Sequence, residues 1–308
     1  MNLYKPEGFK VDTAENCGYL KDEKSLREAL VRGCPIEAKV SLCDLQHNLI
    51  VDFGFMKGKI LKEDGAIGCD TGETKDIALI SRVNKPICFY VKGFYRDEKG
   101  ETWASLNRRE VQIDAMENYI KKLSLGDVID GVITHIESFG CFVDIGAGIV
   151  ALLPIDSISV SRISHPKDRF RVGQTVKVLV KSIAEDGKIT LSHKELLGIW
   201  EENAARFNIG ETVPGIIRSV EQYGVFIELA PNLAGLAEYN EDVRVGDNAS
   251  VYIKNIIPEK MKIKLIIVDS FSGERTIEKP EYFFEGDHMD IFNYSPAVSE
   301  KIIRTEVF

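Results

Sequence analysis

The chain has 308 residues, of which 44% are hydrophobic and 28% charged, the balance of a water-soluble protein with room for two or three domains. No run approaches the ~18 apolar residues needed to cross a bilayer, and the opening MNLYKPEGFKVD lacks the charged-then-apolar pattern of a leader, so the expectation is a cytoplasmic protein with no membrane partner. The formal net charge of −9 argues at first against a polyanionic ligand.

That charge is unevenly spread. Residues 1–123 carry 20 basic and 20 acidic groups, 124–198 carry 8 and 9, 199–269 carry 7 and 11, and 270–308 carry 4 and 8. The acidity lies in the C-terminal third, and the middle of the chain is close to neutral. The cysteines (Cys17, Cys34, Cys43, Cys69, Cys88 and Cys141) include no C-x-x-C pair and read as inert, mostly buried thiols. The five histidines have no H-x-x-H spacing, so neither a metal nor another cofactor is expected.

Residues 1–20 offer no recognisable element and read as a lead-in arm. DEKSLREALVRG (Asp22–Gly33) places Leu26, Ala29 and Leu30 at helical spacing before a glycine, predicting a short helix that docks on the β segment C-terminal to it. Three stretches then repeat one plan, short runs rich in Val, Ile and Phe between Gly, Asp and Pro, which is the sign of small all-β units. The first, 22–110 with its helix, is worn. PIEAKVSLCDLQHNLIVDFGFMKGKI (Pro35–Ile60) gives two strands and the start of a third, and PICFYVKGFYRDEKGETWASLNRRE (Pro86–Glu110) gives a hairpin. VQIDAMENYIKKL, residues 111–123, reads as a linker helix.

The second unit, 124–196, contains GDVIDGVITHIE, SFGCFVDIG, FRVGQTVKVLVKSI and GKITLSHKE. A further linker helix is expected over 193–207, with Leu196, Leu197, Trp200, Ala204 and Phe207 along one face. The third unit, 209–269, matches the second at an offset of 84 residues, which brings Tyr223-Gly224 onto Phe139-Gly140. The tail, 270–308, is acidic yet rich in aromatics (Phe271, Tyr282, Phe283, Phe284, Phe292, Tyr294 and Phe308), so part of it is expected to pack on the third unit or on another chain.

Phe139 and Phe142 lie three apart, so a regular strand would turn them to opposite faces. Gly140 between them permits a bend that brings both rings onto one surface, a stacking platform for unpaired bases. Tyr223 and Phe226 repeat the arrangement. The competing reading is that Phe142 and Phe226 fill the interior.

The pieces Gly126-Asp127, Gly131-Val132, Phe139–Asp144, Val172-Gly173 and Ile189–Lys194, in this order, resemble the RNA-binding repeat of the ribosomal protein S1 family. The resemblance covers about 25–269, strongest in 124–196, clear in 209–269 and weak in 35–110. It implies a mainly β fold of three consecutive five-stranded OB-fold (S1-type) barrels joined by short helices.

In that family RNA crosses strands two and three, meeting two strand-two aromatics, a His after strand three, an Asp before the last turn and a basic residue opening strand five. Carried over, these are Phe139, Phe142 and Lys188 in the second repeat and Tyr223, Phe226 and Lys262 in the third. The His positions fall at Pro154 and Glu238 and the Asp positions at Ala184 and Pro258, so the polar contacts are lost. In the first repeat His47 and Ile50 stand where the aromatics would be. It keeps the barrel without the platform, with Trp103 as a substitute ring or a core residue, and reads as structural or protein-contacting. Arg162, Lys167, Arg169 and Arg171 precede strand four of the second repeat, and Arg169 and Arg171 are expected to flank the platform and hold phosphates.

The function this implies is non-catalytic binding of single-stranded RNA in translation or RNA handling, with the ribosome or mRNA as further partners. The second barrel is expected to bind most tightly, the third to assist and the first to organise. The other reading is a protein-interaction module that docks on the ribosome or another protein without touching RNA. No P-loop, G-x-S-x-G or metal-ligand cluster supports an enzyme.

Overall fold

The structure, a computed structural model, describes residues 3–273 and 279–306; the tail residue Phe308 lies outside the described residues. The chain divides into two compact units, one made of Met1–Leu123 with the Asp144–Val150 hairpin tip, the other of Ser124–Val143 with Ala151–Phe308.

In the first unit the lead-in arm contains a helix, α1 (Ala14–Tyr19), an element for which the arm shows no periodic pattern. Its start is marked by Thr13, whose hydroxyl accepts from the Asn16 N–H at 3.3 Å. Helix α2 (Glu23–Arg32) is capped by Asp22, which accepts from the Ser25 N–H, and it ends at Gly33 in the left-handed region, φ 60°. Leu26 and Ala29 carry it into the core. Strands β1 (Ile36–Cys43), β2 (Leu49–Asp52) and β3 (Lys57–Ile60) follow, then a long connection containing α3 (Ile77–Ile80), then β4 (Pro86–Arg96) and β5 (Thr102–Asn107). The strands close in the order β1-β2-β3-β5-β4. Helix α4 (Arg108–Asn118) starts directly after β5, earlier than position 111, because Asn107 caps it by accepting from the Glu110 N–H at 2.8 Å.

Beneath this barrel lies a set of buried charges. The Glu7 carboxylate grips Arg108 through two bonds, 2.6 and 3.0 Å, and accepts from the Cys88 N–H. Asp144, at the hairpin tip, accepts from the Glu7 and Gly146 N–H groups at 2.8 and 2.9 Å; burial pushes it up to about 7. Glu37 accepts from the Gly8 and Lys10 N–H groups on one oxygen, while its other oxygen has no partner among the described residues.

The second unit holds two more barrels. Strands β6 (Val128–Glu137), β7 (Gly140–Gly146), β8 (Ile149–Pro154), β9 (Thr175–Ile183) and β10 (Ile189–Ser192) close as β10-β8-β7-β6-β9, with the β7–β8 tip counted in the first unit. The linker expected as one helix over 193–207 is broken: a 3-10 turn (Lys194–Leu197), Gly198 at φ 84°, then α5 (Trp200–Ala204). The left-handed residue ends the first piece, and Asn203 ties the junction by donating to the Leu197 and Ile199 carbonyls. Leu196, Leu197, Trp200 and Ala204 are all buried. Strands β11 (Thr212–Glu221), β12 (Gly224–Ala230), β13 (Leu233–Ala237), β14 (Asn248–Ile257) and β15 (Lys262–Phe271) close as β11-β12-β13-β15-β14. All three barrels share one plan: the first strand lies between the second and fourth, and the third adjoins the fifth.

The tail packs within the second unit. Strands β16 (Ile291–Asn293) and β17 (Arg304–Glu306) pair, and Met289, Phe292 and Tyr294 join the core of the third barrel. The Tyr294 hydroxyl donates to the Asn232 carbonyl. The Tyr282 hydroxyl accepts from the Lys177 N–H at 2.8 Å and lies 3.4 Å from His193. Burial pulls His193 down to about 4, so the ring is neutral; its Nδ1–H donates to the Ile158 carbonyl and Nε2 accepts from Tyr282.

Burial pushes Glu37 from 4.5 up to about 7. The folded chain therefore holds a proton there that the unfolded chain has released, and this stabilisation is full below about pH 4.5 and lost as pH rises through 7. The loss is on the order of 3 kcal/mol. Glu37→Gln is expected to flatten that part of the slope in urea unfolding between these limits; an unchanged slope would contradict the assignment.

Candidate nucleic-acid interface

Strand alternation decides where the second-barrel rings point. Cys141, Val143 and Ile145 are buried, so Phe142 between them faces outward, half-exposed. Phe139 is in the β6–β7 turn, free of that alternation, and is 53% exposed. The two rings meet edge to face, centroids 6.2 Å apart at 89°. Gly140 makes this possible by close approach: a Cβ there would sit 2.5 Å from the Leu153 carbonyl oxygen. The backbone is held against β8, with the Ile155 N–H donating to the Phe139 carbonyl at 2.9 Å. Neither ring fills the interior.

The third barrel reproduces this. Tyr223, 71% exposed, meets Phe226 edge to face at 6.1 Å and 85°. A Cβ on Gly224 would meet the Ala237 carbonyl oxygen at 2.5 Å. In the first barrel His47 lies in the β1–β2 turn beside Asp76, at 3.1 Å, and Ile50 is buried, so the pair is absent there.

The expected cations are placed unequally. Lys262 is exposed and opens β15. Lys188 is 85% exposed but tied to Asp186 at 2.6 Å, which raises its pKa by hydrogen bond and charge. Arg171 is exposed. Arg169 is a correction: its side chain is only 10% exposed and pairs with Glu228 of the third barrel, so it does not face a phosphate. Arg218 bonds the same carboxylate at 2.8 Å and also reaches Asp168 at 3.2 Å. The 155–174 connection is thus docked on the third barrel, with the Ser161 N–H donating to the Pro231 carbonyl.

Two further residues join the surface that sequence pattern alone does not single out. His135 is exposed, and its ring lies 6.2 Å from that of Phe142, making a third ring of the group. Lys264 stands opposite Leu236, which stands opposite Phe226, so it shares the outer row of the ring. Both follow from strand period two, but only once the register between strands is known. Glu238 is exposed and borders a hollow of about 510 Å³ with Glu241 and Asp242, a poor place for phosphate.

Barrels closed in this order, two of them carrying an outward aromatic pair, define a tandem OB-type protein. The family model of the S1 RNA binding domain matches residues 122–194, the second barrel. Small ribosomal subunit protein bS1 of Rhodopseudomonas palustris is 35% identical over 134 residues, 43% of this chain and 24% of that protein. Its namesake in Staphylococcus epidermidis is 31% identical over 185 residues, 54% of this chain and 47% of that protein. A crystal structure of a multidomain protein with nucleic acid binding domains from Streptococcus pneumoniae matches with 13% identity and a TM-score of 0.24, over 77% of this chain and 73% of that one. The second barrel is thus similar to the S1 RNA binding domain, and the chain spans less than half the length of these two curated relatives. Among the described residues no helix is long and apolar enough to cross a membrane.

Removing one charge from the Arg169–Glu228–Arg218 group leaves buried guanidinium groups underpaired, at a cost of roughly 3 kcal/mol. Glu228→Gln is therefore expected to lower the urea midpoint of the second unit clearly, while Lys188→Ala leaves it in place. Equal midpoints for the two variants would refute the packed ion-pair assignment.

Proposed function

We propose that this chain binds single-stranded RNA through its second and third barrels, with little sequence preference and without catalysis, and that it does so in translation, on the ribosome or on mRNA. The observation that carries this reading is the twice-built platform: an exposed ring and a half-exposed ring, edge to face on the outer side of the barrel, at positions 84 residues apart. The match of the second barrel to an RNA-binding domain, and relatives named as ribosomal subunit proteins, support it.

Stacking contributes ~1–3 kcal/mol per base and tolerates any base. The second barrel adds His135 to Phe139 and Phe142, and the third adds Lys262 and Lys264 to Tyr223 and Phe226. Arg171 and Lys188 are the phosphate contacts on the second barrel. With so few cations on a net acidic chain, binding depends more on stacking than on counterion release, so the salt dependence is shallow. Rings do not sense the 2′-hydroxyl, and single-stranded DNA is expected to bind comparably.

Fluorescence anisotropy of a labelled oligoribonucleotide, titrated at two salt concentrations, tests this. The Phe139→Ala/Phe142→Ala pair is expected to weaken binding on the order of tenfold or more, and the Tyr223→Ala/Phe226→Ala pair somewhat less. No binding by the folded parent chain, or equal binding by parent and both pairs, would overturn the proposal.

A further inference from the structure

The first barrel lacks the strand-two aromatics, yet its outer face is not bare. Trp103 stands opposite Lys57 on one side and Tyr95 on the other, so β3, β5 and β4 present Lys57, Trp103 and Tyr95 as one row. Ala104 and Leu106 are buried, which by alternation turns Trp103 outward, where it is half-exposed; Tyr95 is 40% exposed. The indole is therefore neither core nor alone.

Its orientation is fixed by the β4–β5 turn. Asp97 accepts from the Lys99 and Glu101 N–H groups with one oxygen, at 2.9 and 2.8 Å. With the other it accepts from the Trp103 indole N–H at 3.1 Å. The carboxylate is occupied within the turn and holds the ring ready. The Lys57 ammonium lies 5.7 Å from the indole centroid, over the ring. Neither Lys57 nor Arg96, at the end of β4, has an ion pair among the described residues.

The inter-strand register also identifies what Trp103 replaces. Ser105 stands opposite Lys59 as Lys264 stands opposite Leu236 and Thr190 opposite Leu152. Two residues earlier in the chain are Trp103 and Lys262, each on its strand, and Lys188, immediately before β10. An aromatic ring thus occupies, in the first barrel, the position around the start of strand five that a cation holds in the other two.

We propose that the Lys57–Trp103–Tyr95 row is a third stacking site for single-stranded RNA, moved from strands two and three to strands five and four of the first barrel. Two rings take adjacent bases while Lys57 and Arg96 meet the phosphates between them, a combination of ring and cation suited to a polyanionic strand. The site rests on the RNA-binding reading above, and it gives the first barrel a ligand of its own.

The test uses the full chain, an unlabelled oligoribonucleotide and tryptophan emission. The chain has two tryptophans, and the other, Trp200, is 3% exposed, so RNA stacked on Trp103 would quench most of the emission that RNA can reach. Trp103→Phe, which keeps a ring and the fold, is expected to abolish the quench. Tyr95→Ala and Lys57→Ala are each expected to weaken binding on the order of five- to tenfold. Quenching that persists in Trp103→Phe would overturn the site. So would unaltered affinity in Tyr95→Ala and Lys57→Ala when the Phe139→Ala/Phe142→Ala pair binds more weakly. If the folded parent chain binds no RNA at all, the wider reading falls and this site with it.

Discussion

Everything about the proposed binding surface depends on the close contact between a glycine and a neighbouring strand's carbonyl at the start of the second strand. At Gly140 and Gly224 the backbone runs so near the Leu153 and Ala237 oxygens that any side chain would collide. That approach closes the first hairpin tightly onto the third strand. It leaves the preceding residue, Phe139 or Tyr223, in a turn beside the outward ring of Phe142 or Phe226. A hydrophobic interior of Cys141, Val143 and Ile145, or of Val225 and Ile227, keeps the second ring outside. The platform is thus a by-product of how the barrel closes, which is why it recurs with nearly the same geometry in both.

The second and third barrels are also held together, and the means is electrostatic as well as apolar. The connection before β9, rich in Arg and Lys, gives its central Arg169 to Glu228, with Arg218 completing a group shared across the two barrels. Tail residues Met289, Phe292 and Tyr294 complete the third-barrel core, and Tyr282 touches the second. A strand of RNA meeting both platforms would meet a semi-rigid pair, so the ordering cost of bringing the second platform to bear is small.

The three β units and the paired rings were legible in the sequence because glycine punctuation, period-two hydrophobicity and the 84-residue offset all describe local chain geometry. Closure into barrels was implied by the resemblance to S1 repeats, and the outward turn of Phe142 and Phe226 was one of two open readings. The rest required tertiary information. Arg169 looks like a free cation in a basic run, and nothing local reveals a Glu228 partner 59 residues away. His135 and Lys264 join the surface only through inter-strand register. Trp103 looks solitary along the chain because Tyr95 and Lys57 reach it across strands. The helix expected over 193–207 failed for a local reason: the apolar face persists, but Gly198 takes a left-handed conformation that no α-helix continues through.

The proposed binding mode has bases stacked on the turn-borne rings. Photo-crosslinking the intact chain to an oligoribonucleotide carrying 4-thiouridine, followed by mass spectrometry of the adduct peptides, tests it most directly. Adducts are expected on Phe139 and Tyr223 or on the residues beside them. Adducts confined to the 155–174 connection, or to the acidic hollow around Glu238, would contradict it.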